Sequence, residues 1–172
     1  MLMASQVRAQ CPELTSGLQA PLGITQSDKG NLFVSETGTG NRDGRISIVD
    51  RHGNRRTLLD GLPSAINDVN EPSGPAGLFL SGRTLFVAIG IGDTVRNGPF
   101  PGSTVVNPSG ASSSIFSSIL AIHFSEHFVE KKTAGFILSA ENEQDLAGNV
   151  KHICHRLTGS HRRKQFSIRL AS

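Results

Sequence analysis

Short apolar runs separated by glycine-rich turns dominate the first part of the chain. Between residues 23 and 62 the runs read GIT, LFVSE, RISIVD and RTLLDGL, in that order. The turns between them are DKGN, TGTGNRDG and RHGN. Glycine, asparagine and aspartate accept the positive φ that tight hairpins require. The pattern therefore predicts four consecutive short strands joined by tight turns.

The same pattern recurs about fifty residues later, which indicates an internal repeat. The matching positions are Pro21, Gly23 and Ile24 with Pro75, Gly77 and Leu78, and Leu32, Phe33 and Val34 with Leu85, Phe86 and Val87. A later strand is predicted at SSILAIHF, whose Ile119, Leu120 and Ile122 match Ile46, Ile48 and Val49. Four-stranded antiparallel units that repeat at roughly 40 to 50 residues are typical of β-propeller blades. We therefore predict an all-β fold: a partial β-propeller of about two blades.

The remaining segments complete the predicted organisation. Residues 1–14 are an N-terminal arm, and residues 15–148 hold the blades with a Gly/Ser-rich insert at 97–114. One short helix is predicted near residues 139–147, because Ser139 can cap it, acids follow in its first turn and Gly148 can stop it. Residues 149–172 form a basic tail that we predict to be either disordered or read out of frame.

The charge distribution changes the picture of possible partners. The net charge is +3, but every charged residue after position 150 is Lys or Arg, so all fourteen acids precede the tail. The tail carries no aromatic platform beyond Phe166, so we expect no specific nucleic-acid binding. Its ligand-type side chains lack the paired spacing of zinc sites. They are His152, Cys154, His155 and His161.

Membrane insertion and disulfide formation are not indicated either. No stretch approaches the roughly 20 apolar residues of a membrane span. The beginning of the chain, MLMASQVRAQ, lacks the apolar core of a secretory signal, so we expect no signal peptide within this chain. Cys11 and Cys154 are far apart and neither belongs to a C-x-x-C pair.

Three long stretches resemble a known family. They are GNLFVSETGTGNRDGRISIVD, LLDGLPSAINDVNEPSGPAGLFLSGRTLFVAIGIGD and FSSILAIHFSEHFVEKKTAGFILSA. They look like the ScyD/ScyE family of propeller proteins and, more distantly, NHL-repeat and SMP-30/gluconolactonase-like six-bladed propellers. The resemblance covers roughly residues 15–148. It implies an extracytoplasmic or secreted protein of which this is a partial chain, so that other chains or missing blades complete the ring.

Two acids are the candidate site residues. Glu36 and Asp93 each follow the most apolar strand of their repeat, and the innermost strand of a propeller lines the central channel. Similarity to SMP-30-like lactonases implies that Glu36, Asn70 and Asp93 hold a divalent cation in the channel, either Ca²⁺ or Zn²⁺. Nearby oxygen donors in SAINDVNEPSG are Asn67, Asp68 and Glu71. The alternative interpretation is structural: the two acids cap turn amides or pair with Arg42, Arg45 or Arg96.

The leading functional hypothesis is a non-enzymatic propeller scaffold or ligand-binding protein, with a small molecule or another protein as its partner. One alternative is a metal-dependent, lactonase-like hydrolase that uses channel carboxylates. Another is an inactive fragment of a longer propeller. No G-x-S-x-G motif supports nucleophilic catalysis. The G-x-G within TGTGNRDG is not followed by a helix pattern, so its glycines indicate a hairpin rather than a phosphate-binding loop.

Overall fold

Strands make up most of the structure, which is a computed structural model describing residues 13–67, 69–90, 95–106, 113–124, 135–148, 153–156 and 165–171. In the first part of the chain the strands are β1 Pro21–Gln26, β2 Leu32–Glu36, β3 Gly44–Val49, β4 Arg55–Leu62, β5 Ala65–Ile66, β6 Pro72–Ser73, β7 Pro75–Ser81 and β8 Thr84–Ile89. They continue with β9 Val95–Asn97, β10 Thr104–Val106, β11 Ile119–Phe124, β12 Phe136–Ile137, β13 Ile153–Arg156 and β14 Gln165–Leu170. Among the described residues there is one helix, α1, which spans Ala140–Ala147.

Most of these strands belong to two five-stranded sheets. The first sheet has the order β1-β2-β3-β4-β12, in which β1 to β4 form an antiparallel meander and β12 adds in parallel to β4. The second sheet has the order β7-β8-β11-β14-β13 and is antiparallel throughout. Two small antiparallel pairs, β5 with β6 and β9 with β10, complete the described strands.

The β-rich, antiparallel character of the predicted fold is confirmed, together with its one short helix. A propeller is not shown: within the described residues neither sheet closes, and the first sheet has a fifth, parallel strand. The predicted insert at 97–114 contains the turn and second strand of the β9–β10 hairpin. The domain boundary at 148/149 stays a prediction, although β13 and β14 lie beyond it and pair into the second sheet.

The internal repeat is visible in the strand pairing. Leu32 pairs with Val49 in the first sheet, and its counterpart Leu85 pairs with Ile122 in the second. The register also shifts at the same place in both units, just after Pro21 in β1 and just after Pro75 in β7. The two meanders are therefore equivalent strand by strand, with β1, β2 and β3 corresponding to β7, β8 and β11. One predicted match is wrong, because the register makes Leu120 the counterpart of Ser47 rather than of Ile48.

The core lies between the two sheets. Residues directly opposite each other on an antiparallel ladder share a face, so Phe33 and Ile48 point to the same side of the first sheet. The ring of Phe33 stacks on that of Phe124 in the second sheet at a centroid distance of 5.8 Å. The fully buried side chains of this cluster include Ile46, Leu58, Leu59, Leu62, Leu85, Leu120, Ile122 and Ile168. The two sheets therefore share a single apolar cluster.

A close backbone contact joins the sheets at Gly23. A Cβ atom at this position would overlap the carbonyl oxygen of Ala76 in β7. The hydroxyl of Ser35 accepts a hydrogen bond from the Gly23 N–H at 2.8 Å and donates one to the Ala76 carbonyl. Glycine therefore allows β7 to lie across β1 and β2 at backbone distance.

Helix α1 has the predicted ends. The hydroxyl of Ser139 accepts a hydrogen bond from the Asn142 N–H at 3.1 Å, and Asn142 Oδ1 accepts one from the Ser139 N–H at 3.3 Å, which forms a capping box. Gly148 is the C-cap. Among the residues that the structure describes, no helix has the length and apolar character needed to cross a membrane.

The contact at Gly23 predicts a difference between two equivalent glycines. We expect Gly23→Ala to lower the free energy of unfolding by about 1–3 kcal/mol, because the new methyl group overlaps the Ala76 carbonyl. The matched control is Gly77→Ala, since a Cβ at Gly77 has the Ala88 Cβ at 3.6 Å as its nearest neighbour. That control should change stability by less than about 1 kcal/mol. Urea unfolding measures both, and equal losses would contradict the assignment.

Candidate functional site

Glu36, at the end of β2, is a fully buried carboxylate with a relative exposure of 0%. Its Oε2 accepts a hydrogen bond from the backbone N–H of Gln19 at 2.7 Å, and its Oε1 accepts one from the Ser47 hydroxyl. The guanidinium of Arg55 lies 3.6 Å from Oε2 and is about one-third exposed. Both carboxylate oxygens thus have donors within the chain, and a cation lies beside them.

The strand register explains why these groups meet. Glu36 lies opposite Arg45 on the β2–β3 ladder, and Ser47 lies two residues further along β3, on the same face. The segment of residues 13–20 passes this face. Gln19 donates its N–H to Glu36, and its side-chain oxygen accepts a hydrogen bond from Arg45 at 3.1 Å. Through its hydrogen bond with the Gln19 amide, the Glu36 carboxylate therefore holds residues 13–20 against the first sheet.

The chemistry of this arrangement is that of a compensated buried charge. An unpaired buried carboxylate is costly, and charge-assisted hydrogen bonds from a hydroxyl and an amide offset much of that cost. Both oxygens of Glu36 accept hydrogen bonds within the chain and the side chain is fully buried, so the carboxylate is not open to the solvent from which a hydrated metal ion would reach it. The group has the environment of a structural anchor.

The alternative interpretation of Glu36 holds in part. Glu36 does cap a backbone amide, but its cation is Arg55 rather than Arg42 or Arg45. Arg42 instead pairs with Glu143. Arg55 belongs to β4, which β3 separates from β2 in the sheet. Sequence spacing could not identify Arg55 as the partner of Glu36, because the two side chains meet only once the sheet has formed.

Strand pairing gives the position of Glu36 in the repeat. Glu36 is the last residue of β2, which is the second strand of its sheet, between β1 and β3. Pro21 pairs with Glu36 and its equivalent Pro75 pairs with Ile89, so Ile89 is the counterpart of Glu36 in the second unit. The channel position predicted for Glu36 and Asp93 stays a prediction. Asp93 itself lies outside the described residues.

The third predicted ligand lies in a different environment. Asn70 is exposed in the turn between β5 and β6, where it has a φ of 68°. Its neighbour Asn67 organises that turn, since its side-chain oxygen accepts hydrogen bonds from the N–H groups of Val69 at 3.1 Å and Glu71 at 2.8 Å. Asp68 lies outside the described residues. A metal site formed by Glu36, Asn70 and Asp93 stays a prediction.

The described residues form no other metal site. Over the described part of the chain, no three His, Cys, Asp or Glu side chains are grouped so that they could hold a metal ion. His152 and His161 of the tail lie outside the described residues, as do the side chains of Cys154 and His155.

The TGTGNRDG stretch is the β2–β3 hairpin, as predicted. Gly38 and Gly40 have φ values of 81° and 89°, and Asp43 Oδ1 accepts a hydrogen bond from the Thr39 N–H at 2.8 Å. Burial would raise the pKa of Asp43, but hydrogen bonds from Thr39 and Asn41 outweigh it and hold that pKa below its ordinary value of 3.8. These hydrogen bonds stabilise the folded chain at pH values above the pKa that Asp43 has in the unfolded chain. That stabilisation is lost as the pH falls through the lower pKa of Asp43 in the folded chain.

A second buried carboxylate was not anticipated from the sequence. Glu143 of α1 is 2% exposed, accepts a hydrogen bond from the Ser113 hydroxyl at 2.6 Å, and pairs with Arg42 at 2.8 Å. Arg42 has a φ of 58° in the β2–β3 hairpin. The pair joins α1 to that hairpin. No local signal identifies it, because its partners are 101 positions apart.

Comparisons with family models, curated proteins and solved structures found no match to this chain. Membership of the ScyD/ScyE family therefore stays a prediction that rests on the quoted stretches.

A double-mutant cycle tests the structural role of Glu36. Glu36→Ile leaves the Ser47 hydroxyl without its acceptor, and Ser47→Ala removes a donor from the carboxylate, so each should lower stability by about 1–3 kcal/mol. The double variant removes both groups and resembles the second unit, where Ile89 takes the place of Glu36. We expect it to lose at least about 0.5 kcal/mol less than the sum of the single losses. Additive losses in urea unfolding would contradict the coupling.

Proposed function

We propose that this protein is a non-enzymatic β-sheet scaffold that binds another protein through a sheet face. The observation that carries the proposal is the bare outer face of the second sheet. We use the name outer face for the set Gly77, Phe79, Phe86, Ala88 and Ile119, whereas Ala121, opposite Phe86 on the same side of the sheet, is buried. Phe79 and Ile119 are 63% and 48% exposed. Large apolar side chains grouped on one surface mark interaction sites.

The burial pattern of the two sheets supports this assignment. Along β8, residues alternate between buried and partly exposed, and in β7 the positions of Gly77 and Phe79 are exposed. The central strand β2 instead has both of its faces buried from Phe33 onward. Yet β8 is apolar on both faces from Leu85 to Ile89, which is typical of a strand covered on both sides. The sequence of β8 is therefore typical of a strand that is covered on both faces, although one face of β8 is partly exposed in the structure.

The environment of Glu36 favours the scaffold over the hydrolase alternative. A catalytic metal needs an open position for water or substrate, whereas Glu36 is fully buried and its oxygens accept hydrogen bonds from Gln19 and Ser47. The lactonase-like and fragment alternatives, and a location outside the cytoplasm, stay predictions of the family resemblance.

Metal titration separates the scaffold from the hydrolase. We expect Ca²⁺ or Zn²⁺ to raise the Tm of the wild-type chain no more than that of Glu36→Gln, because the carboxylate is fully buried within the chain. Glu143→Gln is the matched control, since it alters another buried, ion-paired carboxylate. Differential scanning fluorimetry and a lactone-hydrolysis assay measure the two responses. Metal-dependent stabilisation and hydrolysis that Glu36→Gln abolishes and Glu143→Gln retains would overturn the proposal.

A further inference from the structure

The outer face is the repeat counterpart of a face that is covered in the first sheet. Phe33 corresponds to Phe86, and Ser35 corresponds to Ala88, by the matching registers of β2 and β8. In the first sheet this face packs against the second sheet, where Phe33 is fully buried and Ser35 contacts the Ala76 carbonyl. In the second sheet Phe86 stacks on the exposed ring of Phe79 at 6.2 Å. The equivalent covering strand is absent from the described residues.

A glycine marks where that strand would lie. Gly23 allows the backbone of β7 to approach β1, and its repeat counterpart is Gly77 in β7, the edge strand of the second sheet. Gly77 is exposed, and a Cβ built there has only the Ala88 Cβ within 4 Å, at 3.6 Å. Glycine in the interior of a strand costs stability unless another backbone approaches it closely. Within the described residues no backbone of another strand lies over Gly77. The space that the Ala76 backbone occupies at Gly23 is therefore empty at Gly77.

The complementary half of the contact is exposed on the same chain. β7 covers the first sheet, and the strand equivalent to it is β1. Leu22 and Ile24 of β1 are 65% and 62% exposed. They line an apolar groove of about 360 Å³ whose other walls include Leu14 and Leu18. The chain thus has an exposed outer face that no strand covers within the described residues. It also has an exposed strand, β1, whose repeat counterpart β7 does cover a sheet.

We propose that a second copy of this chain docks its β1 strand on the outer face, with Leu22 taking the place at Gly77 that Ala76 takes at Gly23. This inference rests on the proposed function, since it names the partner of the same face. The contact joins two different surfaces, so association is head to tail and leaves one free surface at each end. Glu36 does not take part, because its partners Gln19 and Ser47 already cover it.

The experiment blocks each surface separately. Gly77→Val places a branched side chain where the backbone of β1 should approach, and Leu22→Asp places a charge on the docking strand. Sedimentation velocity over a range of concentrations should show association of the wild-type chain, and each variant should weaken it by about tenfold or more. Phe79→Asp gives a second test of the outer face. Its matched control is Phe100→Asp, in the turn between β9 and β10, where the Phe100 ring is similarly exposed at 72%. This control should associate like the wild type.

Mixing the two blocked variants tests the head-to-tail geometry. Each retains the surface that the other lacks, so a mixture of Gly77→Val and Leu22→Asp should form a one-to-one pair, although neither associates alone. A wild-type chain that stays monomeric at every concentration would overturn the inference, as would blocked variants that fail to pair when mixed. Circular dichroism checks that each variant is folded. A monomeric wild type leaves the metal and hydrolysis tests of the scaffold function unaffected, so the two proposals fail separately.

Discussion

The close approach of β7 to β1 and β2 is the contact on which the rest of the structure depends. Stacked sheets normally stand about 10 Å apart because side chains fill the space between them. At Gly23 no side chain intervenes, and the Ser35 hydroxyl connects the Gly23 amide to the Ala76 carbonyl. Away from this point the gap between the sheets is filled by large apolar side chains, such as the stacked rings of Phe33 and Phe124. The contact thus orients the two sheets, and the apolar cluster stabilises them.

The two units share this backbone plan but differ in what they bury. The first unit has Glu36 and Ser47 where the register places Ile89 and Leu120 in the second. The polar pair faces away from the second sheet and fastens residues 13–20, whereas the apolar pair belongs to the shared core. A repeat can therefore use equivalent positions for an anchor in one unit and for packing in the next. The buried charge belongs to one unit only and is not a requirement of the meander.

Much of the fold could be predicted from the sequence, because the signals are local. Apolar runs and positive-φ turns predicted β1 to β4, and Ser139 predicted the start of α1. The candidate site was less predictable. Glu36 was recognised as an unusual acid, but its partners come from three separate segments of the chain, and local patterns cannot show which segments meet.

The sequence by itself determined where the strands and turns of the two meanders and the helix cap lie, and that two units repeat. Each of these features depends on neighbouring residues, through side-chain alternation, glycine conformation or a cap within one turn. Only the tertiary structure decided which faces are covered, which cation accompanies Glu36, and that Glu143 joins Arg42 across 101 positions. Burial and ion pairing depend on residues that only folding brings together. For the same reason Gly77 is an ordinary strand glycine in the sequence, and only the tertiary structure shows that it lies on an exposed face.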